Sequence, residues 1–208
     1  MQPTSTPVLF LRKIKQLLTE PSHFFEAAAH EKGIGPALRT YVALSPLYLI
    51  AFFLIRQATR LLPLSQRLLW LSASPTYVFQ ELSRTAPLVV LPPLVAFFTF
   101  LFSYLLILPL IFVVAGLWHA WILIWGGKGT YADSFRVYVY GRVPRLLVGW
   151  IPIVGAFIWM YDAVLYISAL QKLHNVSRTQ AILILVLPTL VQVALTILMF
   201  VAVVSYLR

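Results

Sequence analysis

The sequence predicts an all-α, polytopic integral membrane protein, with five transmembrane helices preceded by short amphipathic N-terminal helices. Three observations carry that expectation. First, 61% of the 208 residues are hydrophobic and 11% charged, whereas a soluble domain is nearer half apolar and a quarter charged. Second, several apolar runs are long enough to cross a bilayer. Third, the formal charge of +10 is carried by Lys and Arg between those runs or at their ends. The positive-inside tendency and attraction to anionic lipid explain that placement. No zinc-finger, RNA-recognition or basic-zipper pattern is present, so nucleic acid is not an expected partner. With no cysteine, disulfides and thiolate metal sites are excluded.

Residues 1–36 read as a cytoplasmic amphipathic segment and 37–208 as one membrane domain. Residues 8–18 place Leu11, Ile14, Leu17 and Leu18 among Arg12, Lys13 and Lys15. That pattern suits a helix lying on an anionic membrane face, or one packed on the domain. The apolar patch at 8–11 is broken at once by charge, so no signal peptide is expected. Ser22 is placed to cap a second short helix over 24–31, ended by Gly33 and Gly35.

The first span is expected over 37–62. Its uncharged interval between Arg39 and Arg56 reaches about 26 Å, so Arg56 and Arg60 should snorkel to the far surface. A surface helix is expected after Ser74-Pro75. The uncharged run over 86–125 would be about 60 Å long as one helix. It is a hairpin or one long, tilted helix. The absence of Gly, Asn or Asp around Leu108-Pro109 favours a single helix, irregular at Pro92-Pro93 and kinked at Pro109. Counting Lys and Arg on that topology puts the N-terminus in the cytoplasm.

Thr130-x-x-Asp133 is a capping-box pattern opening the third span, 131–150. Tyr131, Phe135, Tyr138, Arg142 and Arg145 would share one face of that helix, and two arginines so deep must face protein or water. Gly141 and Pro144 permit a kink. Ile151-Pro152 turns the chain into the fourth span, 152–172, which carries Asp162 near its middle. Ser177-x-x-Gln180 caps the fifth, 181–207.

A carboxylate at mid-membrane costs about 2.5–3.5 kcal/mol on insertion scales, so Asp162 should be paired. Arg142 or Arg145 on the adjacent span is the expected partner, and Tyr138 completes an intramembrane polar cluster. Proton or ion coupling at Asp162 is the other reading. The glycine-rich stretch Gly126-Gly127-Lys128-Gly129-Thr130 is not a phosphate loop, because Lys128 is followed by Gly129 and no strand precedes it. It reads as a helix cap and hinge, with Lys128 free to meet a lipid headgroup or a partner. Arg12, Lys13, Lys15 and Arg136 are further candidates for such contacts. His119 and His174 sit at helix ends, where a hydrogen-bonding role is commoner than metal ligation. No catalytic constellation, metal site or cofactor site is expected.

From Trp118 to Pro188 the chain resembles the Yip family of small membrane proteins. In order come His119 before Gly126-Gly127-Lys128-Gly129-Thr130, Phe135-Arg136-Val137, Tyr140-Gly141, Pro144, Ile151-Pro152-x-x-Gly155, Leu170-x-x-Leu173-His174 and Ser177-Arg178. Glu20-Pro21-Ser22-His23-Phe24-Phe25 is similar to the family's usual start. The resemblance implies five transmembrane helices and a cytoplasmic N-terminus. Eukaryotic members contact Ypt/Rab GTPases, but their extended cytosolic region is reduced here to residues 1–39, as in compact prokaryotic members. The expected function is therefore a non-enzymatic adaptor or organiser in the cell membrane, contacting lipids or partner proteins, with self-association as a further expectation. The alternative is a small-molecule, ion or lipid transporter using the Asp/Arg pair.

Overall fold

The computed structural model describes residues 6–60 and 93–206, and every secondary element among them is an α-helix. The expected surface helix after Ser74 and the start of the second span at 86–92 lie outside the described residues. The helices are α1 (Thr6–Thr19), α2 (Pro21–Ala29), α3 (Gly35–Arg60), α4 (Pro93–Ile124), α5 (Tyr131–Gly141), α6 (Val143–Val148), α7 (Pro152–His174) and α8 (Arg178–Tyr206).

The second short helix differs from expectation at both ends. It starts at Pro21, with Glu20 at the N-cap and no side-chain cap, and it ends at Ala29. A proline in the first turn loses no hydrogen bond there and has its φ already set, so Ser22 falls inside the helix. The chain then turns through Gly33, whose φ of 66° costs a glycine nothing. It enters α3 at Gly35.

The long uncharged run is a single helix through Pro109 over the described part, α4. Its 32 residues extend about 48 Å. Two segments, Phe100–Ile124 and Arg178–Met199, are long and apolar enough to cross a membrane. Both present large apolar side chains outward, among them Phe102 at 68% exposure and Leu198 at 65%. A soluble protein would bury such helices.

The expected third span is two helices rather than one. The α-helix stops at Gly141, Arg142 caps both pieces, and α6 restarts at Val143-Pro144. Pro144 has no N–H and its ring clashes with the preceding turn, which turns the expected kink into a break. Across the break Arg142 still lies against the Tyr138 ring.

Helix α7 is central, packing against α5, α2, α6 and α8, while α5 also meets α4 and α3. Phe135, Val139, Val143, Leu165, Ala169, Leu170, Ile122 and Ile184 are fully buried where these helices meet. Close approach needs glycine at two crossings. A Cβ on Gly141 would lie 2.9 Å from the Tyr166 ring, and one on Gly155 2.4 Å from the Gly149 carbonyl oxygen.

Several carbonyls released by irregular backbone are met by an aromatic side chain of another helix. Pro188 cannot donate to Ile184, and the Ile184 oxygen accepts instead from Trp121 Nε1 at 2.9 Å. Pro46 likewise frees the Val42 oxygen, which the Tyr104 hydroxyl approaches at 3.5 Å. At the α5–α6 break the Arg142 N–H turns to Val139. The Tyr138 oxygen left behind accepts from the Tyr166 hydroxyl at 3.3 Å. Such substitutes matter where no water is at hand.

Candidate functional site

Polar side chains gather in three places. The first joins the N-terminal helices to the bundle. Lys13 Nζ lies 2.6 Å from Glu31 Oε1 and donates to the Tyr140 hydroxyl at 2.7 Å. That hydroxyl donates to Glu31 Oε2 at 2.8 Å. The ammonium also sits 4.8 Å from the centre of the Tyr140 ring, a cation–π contact. Arg136 Nη1 meets Asp133 Oδ1 at 2.5 Å, and Nη2 donates to the carbonyls of Glu31 and Gly33. At the rim Lys172 holds Glu26 at 2.5 Å. The hydrogen bond and charge of Lys172 keep the Glu26 carboxyl below its usual range.

The expected lipid-contact residues fall in different settings. Arg136 is 3% exposed, and Lys13 is engaged in the clasp with its side chain 28% exposed. Arg12, Lys15 and Lys128 remain exposed. Glu31, which completes the clasp, carries no periodic or motif signal in the sequence, and Tyr140 stands out only as part of the Tyr140-Gly141 piece of the resemblance. Only folding brings Lys13 and Tyr140 together across 127 positions.

The second gathering locks the glycine-rich loop. Gly126, at φ 84°, closes α4 with a Schellman pattern: its N–H bonds the Leu123 oxygen and the Gly127 N–H bonds that of Ile122. A Cβ on Gly127 would meet Ile122 Cγ2 at 2.4 Å, and one on Gly129 would meet His174 Nδ1 at 2.6 Å. The loop is thus pressed against the end of α7, where Asn175 takes the left-handed cap at φ 54°. Lys128 N–H donates to the His174 oxygen at 3.0 Å and Gly129 N–H to His174 Nδ1 at 3.2 Å.

That last bond fixes a proton. Nδ1 must be an acceptor, so the neutral ring carries its proton on Nε2. Nε2 donates to Ser134 Oγ at 3.0 Å, and Ser134 is left to donate to His119 Nδ1 at 2.9 Å. His174, beyond the expected end of the fourth span, is fully buried. Burial pushes its pKa down to about 4, against the opposing charge of Asp133 and with the help of His119. Both expected capping boxes are in place. Thr130 and Asp133 exchange bonds at the start of α5, and Ser177 and Gln180 do so before α8, at 2.9 and 3.2 Å.

The third gathering lies near the other end of the α5–α6 pair. Arg145 Nε and Nη2 both reach Asp162 Oδ2 at 2.9 Å. Asp162 is 4% exposed, and its Oδ1 is buried with no hydrogen-bond partner among the described residues. Arg142 stacks over the Tyr138 ring at 4.1 Å and donates through Nε to the Tyr166 hydroxyl at 3.3 Å. The structure thus brings together Asp162, Arg142, Arg145 and Tyr138, and adds Tyr166. The two arginines take different partners. One faces the tyrosines, while the other reaches the carboxylate with its side chain 46% exposed.

An all-helical fold among the described residues, with long, outward-facing apolar helices, is that of a membrane protein. The chain belongs to the Yip1 domain family, whose model matches residues 15–201. Comparison with curated proteins gives no match, and comparison with solved structures gives none either.

Proposed function

We propose that this chain is a non-enzymatic member of the family that crosses the cell membrane five times, with a cytoplasmic N-terminus. On this reading it serves as an adaptor or organiser contacting lipids or partner proteins, and self-association is part of the proposal. The observation that carries it is the double-sided character of α1. Its inner face buries Ile14 and Leu17 and commits Lys13 to the clasp. Its outer face leaves Val8 at 53% and Leu11 at 66% exposure, beside exposed Arg12 and Lys15. A helix held on the bundle by one face and offering apolar and basic residues on the other suits an anionic membrane surface or an acidic amphipathic partner.

The test is isolation of the full chain in native-lipid particles, with co-purifying lipids and proteins identified. Enrichment of anionic lipid or of one reproducible partner, lost in the Arg12→Glu/Lys15→Glu double variant, supports the proposal. Identical profiles for wild type and variant remove it.

Transport is the second reading, supported by the unpartnered Oδ1 of Asp162. A buried acceptor of that kind has room in its hydrogen bonding for a proton or a cation. Proton-linked uptake into vesicles that disappears in Asp162→Asn would favour this reading over the adaptor.

A further inference from the structure

The cluster around Asp162 holds two guanidinium groups and one carboxylate. Arg145 is matched: two of its nitrogens share Asp162 Oδ2. Arg142 is not. Its contacts are a tyrosine ring and a tyrosine hydroxyl, and no carboxylate pairs with it among the described residues. Both guanidinium groups act electrostatically on Asp162, Tyr138 and Tyr48, so they belong to one charged volume. That volume carries a net single positive charge.

Its place in the helices makes this charge costly. Arg145 lies four residues before Gly149, about 6 Å along a helix, and Asp162 ten residues after Pro152, about 15 Å. On the same side of α7, Trp159, three residues before Asp162, is 58% exposed, an apolar flank beside the cluster. A cation left uncompensated in such a setting is expensive, and an anion with several acceptor oxygens relieves it. Arg145 keeps Nη1 without a partner among the described residues, and its side chain is 46% exposed. A planar fork of this kind suits phosphate oxygens.

We propose that Arg142 and Arg145, with Tyr138 and Tyr166 positioning Arg142, form a site for a phosphate monoanion, supplied by an acidic phospholipid headgroup or as free phosphate. The inference rests on the reading of the chain as a lipid-contacting membrane protein. It concerns a site remote from α1, so loss of binding at one leaves the other measurable. Asp162 has two effects here. It fixes the Arg145 side chain, and it repels the incoming anion.

The test uses the full chain, purified and delipidated in neutral detergent. Phosphatidylglycerol, phosphatidylcholine and inorganic phosphate are offered separately, and bound ligand is read by native mass spectrometry and by thermal shift. Wild type retains phosphatidylglycerol over phosphatidylcholine. Arg142→Gln loses about tenfold in apparent affinity, the scale of one charge-assisted contact, while Arg142→Lys keeps most of it. Asp162→Asn binds more tightly than wild type, an effect that a purely structural salt bridge does not produce. Stabilisation by inorganic phosphate as large as that by phosphatidylglycerol identifies the free ion as the source, and stabilisation by the lipid alone identifies the headgroup. Equal retention of the two lipids together with no stabilisation by inorganic phosphate overturns the site, as does unchanged binding in Arg142→Gln. Should Arg142→Gln not fold, Asp162→Asn decides, and binding no tighter than wild type overturns it.

Discussion

Trp121 Nε1 donates to the carbonyl oxygen of Ile184 across the α4–α8 contact, at 2.9 Å. That carbonyl is free because Pro188 follows four residues later without an N–H. The indole thus stands in for a missing turn of hydrogen bonding inside α8. Replacing Trp121 by Phe leaves the acceptor unpaired, at a cost of about 1–3 kcal/mol. In a Pro188→Ala background the helix supplies its own donor, and the same Trp121→Phe change costs clearly less. Unfolding of the four proteins of this double-mutant cycle in one detergent measures the difference. Equal losses in both backgrounds would show that the indole acts only by packing.

The His174 latch makes stability depend on pH. The ring's pKa is about 4 in the folded chain and about 6.5 when unfolded. Its folded value is depressed, so its contribution is whole above about pH 6.5 and is lost as pH falls toward about 4. Protonation of Nδ1 also removes the acceptor used by Gly129 N–H. Melting temperature should therefore drop between pH 6.5 and 4 more steeply in wild type than in His174→Gln. Parallel profiles would contradict the latch.

Gly129→Ala should disturb the same place by a different cause. The added methyl would sit 2.6 Å from His174 Nδ1 and 2.7 Å from the Leu173 carbonyl oxygen. Overpacking of this kind costs about 1–3 kcal/mol. Gly35→Ala, with nothing within 4 Å of the added atom, serves as the control and should be nearly silent in the same melt.

The clasp predicts how α1 and α2 are released. Glu31 joins Lys13 and Tyr140 through its carboxylate and Arg136 through its carbonyl. Glu31→Gln keeps the shape and removes the charge. Because the Lys13 and Glu31 side chains are 28% and 20% exposed, solvent screens part of the loss, leaving about 1–2 kcal/mol. Trypsin should then cut after Arg12 and Lys15 faster than in wild type, with unchanged cleavage after Lys128.

Much of this architecture is visible in the residues themselves. Thr130-x-x-Asp133 and Ser177-x-x-Gln180 form the bonds their spacing implies, because a capping box is closed within four residues. The glycine-rich loop is a helix end, as its composition suggests, and Gly126 supplies the left-handed turn. Asp162 meets Arg145, the second of its two candidate partners. Less was legible where the partner is remote. Nothing near Arg136 announces that two carbonyls from the α2–α3 turn will take its guanidinium, so a basic residue in an apolar chain reads as a lipid contact. Pro46 and Pro188 each mark a helix turn that loses a hydrogen bond, but not which aromatic takes the freed carbonyl. The break at Arg142 shows as Gly141 and Pro144, which mark a weak point without fixing how far the helix opens.

The Arg145–Asp162 pair should cost more to halve than to delete. Asp162→Leu leaves a guanidinium facing a buried site without its carboxylate. Buried pairs lose about 3–5 kcal/mol when one partner goes, and the half-exposed arginine places this one at the lower end. Arg145→Met/Asp162→Leu removes both charges and should recover most of that loss in the same detergent melt. A double variant less stable than Asp162→Leu alone would mean that the arginine has other, stronger partners.

The reading of α5, α6 and α7 as a hairpin that crosses the bilayer is tested most directly by sidedness. The chain has no cysteine, so single cysteines placed at Arg12, Lys128 and Trp150 can be labelled with a membrane-impermeant maleimide in sealed vesicles of known orientation. The account predicts labelling of the Arg12 and Lys128 positions from the cytoplasmic side only, and of the Trp150 position from the opposite side only. Labelling of the Lys128 and Trp150 positions from the same side would contradict it.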